Sequence, residues 1–328
     1  FILRVEDTDR KRYVAGSVTG FFELFDLYNI HINKKPSQLD LDNIDNYVLP
    51  PWDWYLDNSY RNVSESEFEN KYIQTQRLPL YLKYALKLID AGYAYLCFLT
   101  EEEAKTIKEN SPKNQPFRSP DRNLTEEERK KNIKSGKKYV VRLDIQSFIE
   151  KNPTGNILDY EDMVLGKMKF DLNSVDDQVL IKSNGIPTYH LGVVVDDHLM
   201  NITHPIRGYS WLPSTPKQIV IYNALGLQMP PFAHVTDILD PSGHGKLSKR
   251  RGAVFASDFI VNGFLPQAVI NFITLLGWTP KIERKFGEKE REIFSTEELI
   301  SLFEISGLSN VNRSEERRVG KECRSRWS

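Results

Sequence analysis

The eight residues GKLSKRRG, positions 245 to 252, set four cations between glycines in a chain whose formal net charge is −1. Lys246, Lys249, Arg250 and Arg251 can together neutralise a polyanion such as a nucleotide triphosphate, and glycine lets backbone approach such a ligand closely. The bland alternative is a solvated surface loop, the usual fate of a charge run. A phosphate-cradling P-loop is excluded, because GxxxxGK must be followed by Ser or Thr, whereas Leu247 follows Lys246 and Gly243 lies too near. A lysine loop of this kind needs partners elsewhere in the chain. Two stretches offer them: LRVEDTDRKR at 3–12 and IPTYHLGVVVDDHLMNITHPIRGYSWLPSTPKQ at 186–218.

The elements that must position these residues alternate in type. From Arg77 to Gly92, Tyr81, Tyr84, Ala85, Leu88 and Ile89 fall at helical spacing, with Gly92 placed to end the helix. Thr100 with Glu103, Thr125 with Glu128 and Ser295 with Glu298 carry the capping-box spacing of helix starts. Pro216 to Gly226 and Pro266 to Gly277 read as helices with proline in the first turn and glycine at the end. FILRV, YVVRL, VLIKS and FAHVTDIL read as strands, which gives an α/β sheet followed by helical elements. Ala94 to Ser183 is polar and reads as an insertion or small α+β domain. Lys34 to Ser66, rich in Asp and Asn around PPWDWY, reads as a long surface loop.

At 328 residues, 40% hydrophobic and 27% charged, the chain has room for two domains with buried cores. No run approaches the ~18 apolar residues of a membrane span, so no membrane partner is expected. Cys97 and Cys323 are the only cysteines, which excludes a disulfide framework and makes a reducing compartment the default. The chain opens at Phe1 inside a strand-like run, which points to missing upstream sequence. Residues 313–328, RSEERRVGKECRSRWS, lack either periodicity and read as an adapter-derived artefact. That tail holds six of the 44 Lys and Arg and three of the 45 Asp and Glu, leaving a net of −4 on the rest.

The blocks at 3–12, 186–218 and 245–252, in that order, resemble the catalytic region of the glutamyl-tRNA synthetase family, with its EDTD, PTYHL, IRG, STPK and KLSKR motifs. GFLPQAVINFITLLGW resembles the segment after that family's lysine loop, and the likeness runs from Phe1 to about Asn312. It implies an α/β fold: a Rossmann-like class I synthetase catalytic domain split by an α+β acceptor-stem-binding insertion, followed by a helical stem-contact region. On this reading residues 1–93 are the first part of the catalytic domain and 94–185 the insertion. Residues 186–245 are the second catalytic part, and 246–312 the lysine loop with its helical region.

The resemblance further implies ATP-dependent ligation of L-glutamate to tRNA(Glu) through a glutamyl-adenylate, with Mg2+ accompanying ATP. Pyrophosphate departure develops negative charge, which Lys246 and Lys249 are suited to stabilise, with Ser248 and backbone amides assisting. The family pattern puts Glu6 on the α-ammonium, and Tyr189, Val193 and Arg207 in the glutamate pocket. Ser210, Lys246, Lys249 and Arg250 fall to ATP, and Thr8, Asp9, Arg12 and Trp211 to the tRNA 3′ end. Three of these have a plainer alternative: Arg207 paired with Asp196 or Asp197, Asp9 with Arg12, and Glu6 an exposed strand-end carboxylate.

Val193 stands where members often carry Asn, and Tyr209-Ser210 where Glu or Thr is common. The family's upstream segment, with half of the ATP site and an arginine for the substrate side chain, has no counterpart here, so the chain alone is expected to be inactive. A zinc site of the kind some members build on a C-x-C pair is not expected, since the corresponding piece reads Cys97-Phe98-Leu99. Asp196, Asp197, His198 and His204 lack metal-ligand spacing, and GxSxG is absent. The expected enzyme is a cytoplasmic monomer of bacterial type, with mitochondrion or plastid as alternatives. The rival functions are a paralogue that glutamylates a modified tRNA base and a catalytically silent tRNA-binding fragment.

Overall fold

The computed structural model describes residues 1–9, 16–113, 115–237, 255–282 and 291–310. Helices α1 (Ser17–Leu27), α2 (Gln38–Asp42) and α3 (Leu78–Asp90) lead to strand β1 (Ala94–Cys97). Next come α4 (Glu101–Asn110), α5 (Glu126–Lys134), β2 (Val140–Leu143), α6 (Ile145–Lys151), the hairpin of β3 (Ile157–Asp162) with β4 (Gly166–Asp171), and β5 (Val179–Ile181). The chain continues through α7 (Tyr189–Leu199), β6 (Ile206–Gly208), α8 (Thr215–Ala224) and β7 (Ala233–Val235), then α9 (Ala256–Val261), α10 (Pro266–Gly277) and α11 (Thr296–Leu302).

Strands β6 and β7 pair in parallel, Arg207 opposite His234, with α8 crossing between them. A parallel pair needs such a crossover, and this unit carries the α/β, Rossmann-like character of the fold. Strands β1, β2 and β5 form an antiparallel sheet in that order. The apolar stripe of α3 buries Tyr81, Leu82, Ala85, Leu86 and Leu88, and Gly92, at φ +70°, takes the left-handed turn that ends it. One hydrophobic cluster joins α3 to Leu96, Val141 and Leu180 of the antiparallel sheet and to Val194 of α7 and Val220 of α8. The 94–185 region thus shares its core with the segments on either side. A second cluster, Leu275, Trp278, Phe294 and Leu299, holds α10 against α11.

All three capping boxes form: Thr100, Thr125 and Ser295 each accept from the backbone N–H of Glu103, Glu128 and Glu298, and each Glu accepts in return. Two expectations need correction. FILRV is extended but builds no continuous ladder, making single parallel bridges from Ile2 to Lys34 and from Val5 to Ile73. Residues 34–66 are not a plain surface loop. They hold α2 and two short 3-10 turns, Trp54–Leu56 and Asn58–Asn62, and Trp54 and Tyr55 are buried in the main core. Trp54 packs on Tyr60 and Tyr139, whose hydroxyl accepts from the Tyr55 backbone N–H at 3.1 Å. The aromatic pair outweighs the polar composition around it. Among the described residues no helix is long and apolar enough to cross a membrane.

Candidate active site

Helix α7 organises the site. Its 3.6-residue period puts Tyr189, Val193 and Asp197, four apart, on one face, and Gly192 and Asp196 on the adjoining one. The first face lines an open cleft of about 680 Å³, together with Arg4 and Glu6 of the opening segment, Arg207 of β6 and Trp211 just beyond. The second turns inward. Asp196, fully buried, accepts from Arg77 Nε at 2.8 Å, Gln74 Nε2 at 2.9 Å and the Tyr81 hydroxyl at 2.9 Å. A Cβ on Gly192 would sit 3.1 Å from Gln74 Nε2, so glycine lets this glutamine close on the helix.

In the cleft, Asp197 bridges two guanidiniums, accepting from Arg4 NH1 and Arg207 NH2 at 2.8 Å each. Arg4 also donates to Glu6 Oε1 at 2.9 Å and 3.3 Å, so both bonds fall on one of the two carboxylate oxygens. Arg207 NH1 donates to Gln218 Oε1, and the Phe232 ring lies 4.8 Å from the guanidinium carbon. Tyr189 stacks at 4.3 Å on Trp211, which forms the exposed rim. Burial opposes the charge on Arg4, yet Asp196, Asp197 and Glu6 more than offset it and raise its pKa. Burial pushes Asp197 up from the ordinary carboxylate value, against the pull of Arg4 and Arg207.

A buried brace stands behind the cleft. His234 Nδ1 lies 2.6 Å from Asp162 Oδ2, and Asp162 Oδ1 accepts from the backbone N–H groups of Val164, Leu165 and His234. Burial alone would raise Asp162, but these hydrogen bonds win and hold it at about 2. The brace ties the β3–β4 hairpin to β7 and so fixes the strand that pairs with Arg207.

His190, next to Tyr189, has a buried Nδ1 without a hydrogen-bond partner, and burial, with Lys217 and Arg207 adding to it, lowers its pKa to about 4. Between pH 6.5 and 4 the unfolded chain therefore binds a proton that the fold does not, so this contribution is complete above 6.5 and lost as pH falls toward 4. Asp177 acts oppositely. Burial raises it to about 6, so its contribution is lost as pH rises from 3.8 to 6. The two slopes largely cancel between pH 4 and 6. His190→Asn should remove one of them, making the variant gain on the parent by on the order of 2 kcal/mol from pH 7 to pH 4. Urea unfolding at both pH values checks this, and parallel curves would refute it.

The cleft gathers Glu6, Tyr189, Val193, Arg207 and Trp211 from sequence positions up to 205 apart. The pairing of Arg207 with Asp197, weighed as its plainer alternative, is present together with its place in the cleft. Thr8 is buried, and its carbonyl accepts from Lys182 Nζ at 2.9 Å; Ser210 is exposed in the turn after β6. Asp9 is described and makes interactions of its own. Arg12, Lys246, Ser248, Lys249 and Arg250 lie outside the described residues. Asp7, the second acid of EDTD, turns inward and accepts from the Thr75 backbone N–H at 3.0 Å and its hydroxyl at 2.6 Å.

Sequence reasoning assigned no role to Arg4 or Gln218. The signal for Arg4 is its two-residue spacing from Glu6, which puts both on one side of an extended segment. For Gln218 it is a lone amide ahead of the apolar run IVIY in α8.

The family profile described as tRNA synthetases class I (E and Q), catalytic domain, matches residues 1–319. A glutamate–tRNA ligase of Clostridioides difficile (strain 630) is 38% identical over 312 residues, covering 94% of this chain and 56% of that protein. One of Alkaliphilus metalliredigens (strain QYMF) is 37% identical over the same length and shares. The chain therefore spans about half the length of the curated relatives it matches. The crystal structure of a glutamate tRNA ligase from Elizabethkingia meningosepticum, in complex with its amino acid, superposes with a TM-score of 0.73 at 31% identity, covering 96% of this chain and 60% of that one. A glutamate-tRNA synthetase from Elizabethkingia anophelis gives 0.74 at 30% identity, with 100% and 63% covered.

Proposed function

This chain belongs to the catalytic-domain family of class I tRNA synthetases for glutamate and glutamine, and from that premise we propose that the full-length protein ligates L-glutamate to tRNA(Glu) through a glutamyl-adenylate made with ATP. The observation that carries this reading is the meeting of Glu6, Tyr189, Val193 and Arg207 in one cleft. An amino acid brings a carboxylate, which the planar guanidinium of Arg207 can grip, and an ammonium, which Glu6 can accept. Tyr189 and Val193 form the wall against which the side chain lies.

In the first step a glutamate carboxylate oxygen attacks the α-phosphorus of ATP and pyrophosphate leaves. Lys246, Ser248, Lys249 and Arg250 are the groups proposed to meet the phosphates, and Ser210 the ribose. In the second step a terminal ribose hydroxyl of the tRNA attacks the acyl carbon and AMP leaves, with Thr8, Asp9, Arg12 and Trp211 proposed to hold the 3′ end. Mg2+ belongs in this reading to the ATP phosphates rather than to a cage of protein ligands. Among the described residues no group of three or more His, Cys, Asp or Glu side chains is arranged to hold a metal. The 94–185 region is proposed to contact the acceptor stem. The reading includes a monomer, and a bacterial-type cytoplasm in keeping with relatives from bacteria.

ATP–pyrophosphate exchange with tRNA present tests the assignment. Arg207→Ala in the full-length protein should raise KM for glutamate and glutamine alike, roughly ten- to a hundredfold, the scale of a hydrogen bond to a charged group. A variant that lost its preference for glutamate while keeping both KM values would overturn the placing of Arg207 on the α-carboxylate.

A further inference from the structure

Gln218 lies outside the cleft lining, at 1% exposure in α8, yet it touches the cleft's charge directly. Its Oε1 accepts from Arg207 NH1. Arg207 is thus pinned at both terminal nitrogens, NH1 by Gln218 and NH2 by Asp197, with Phe232 against its face. The remaining N–H groups of its fork stay available to the cleft.

The two pins differ in charge, and the difference has a use. Asp197 is already shared between Arg207 and Arg4. A second carboxylate at 218 would hold the same geometry while cancelling the positive charge that a ligand carboxylate needs. A hydrocarbon would keep the charge and release NH1.

We infer that Gln218 is a positioning residue whose neutral amide fixes the Arg207 fork for an amino-acid carboxylate without discharging it. This rests on the reading of the cleft as an amino-acid site. Tyr189 joins the same arrangement: burial raises its phenol, and Arg207 and the Gln218 side chain pull it back.

Glutamate-dependent ATP–pyrophosphate exchange on the full-length protein with tRNA tests the inference. Gln218→Leu should raise KM for glutamate roughly tenfold, with kcat within about threefold and KM for ATP unchanged. Combined with Arg207→Ala it should add nothing further, since the amide acts only through that guanidinium. Gln218→Glu, close in shape, should also raise KM for glutamate while leaving the thermal midpoint in place, which separates charge from packing. An unchanged KM in both variants, or effects of Gln218→Leu and Arg207→Ala that add in full, would overturn the role of Gln218. Wild-type exchange indifferent to glutamate would sink the amino-acid reading, and this inference with it.

Discussion

Asp196→Ala is expected to destabilise the fold by about 3–5 kcal/mol, the scale for breaking a buried ion pair from one side. Asp196 is wholly buried, and its carboxylate takes bonds from Arg77, Gln74 and Tyr81, with Arg4 Nε a further 3.7 Å away. Arg77 is 2% exposed and spends NH1 on the carbonyls of Phe68 at 2.7 Å and Lys71 at 3.1 Å, so it cannot turn toward water when its carboxylate is removed. An uncompensated guanidinium would be left in the core, beside an orphaned glutamine amide and tyrosine hydroxyl. The loss would spread to the cleft, because the segment around Arg77 also carries Ile73, which bridges Val5, and Thr75, which holds Asp7. Asp196→Asn keeps the shape and one acceptor oxygen but not the charge, and should fall between the parent and Asp196→Ala. Urea denaturation of the three proteins decides the matter. A cost below about 1 kcal/mol for Asp196→Ala would mean that Arg77 finds water or another acceptor.

The features that sequence reasoning placed correctly are those whose cause is local. Thr100, Thr125 and Ser295 each reach a glutamate three residues on, so their capping boxes depend on nothing distant. The 13-residue helix over Leu78–Asp90 announces itself by its apolar period and its terminal glycine. The cleft residues were legible from ordered motifs, although nothing in the spacing of Glu6 and Arg207 reveals that Arg4 and Asp197 link them through a chain of charges. That link is tertiary, since Arg4 and Asp197 stand 193 residues apart and such a contact leaves no periodic trace; the contact of Arg207 with Gln218 crosses from β6 to α8 and leaves none either. Residues 34–66 misled for the opposite reason. Their Asp and Asn content describes the exposed face, whereas two aromatics, Trp54 and Tyr55, decide where the segment goes.

Lys249→Ala in the full-length protein should lower the rate of adenylate formation by roughly 10²–10³, the scale for removing one group that meets developing charge. The charges already present in the cleft sharpen this expectation. Among the described residues that line it, both arginines are bonded to carboxylates, Arg4 to Asp197 and Glu6 and Arg207 to Asp197. A pair of guanidiniums so committed can orient an amino acid but leaves little uncommitted positive charge for a departing pyrophosphate. On the proposed reading those cations come from outside the cleft, and GKLSKRRG, with four of them in eight residues, is the run assigned to supply them. KM for glutamate should move by less than about threefold, because the proposed function gives binding of the amino acid to the cleft and stabilisation of the phosphates to the lysine. Lys249→Arg, which keeps the charge but changes its reach and geometry, should recover part of the rate. Pre-steady-state measurement of adenylate formation, at saturating glutamate and ATP with tRNA present, reads the effect directly. A rate unchanged in Lys249→Ala, or a loss confined to KM for glutamate, would remove the lysine from the chemical step and leave its loop a solvated surface run.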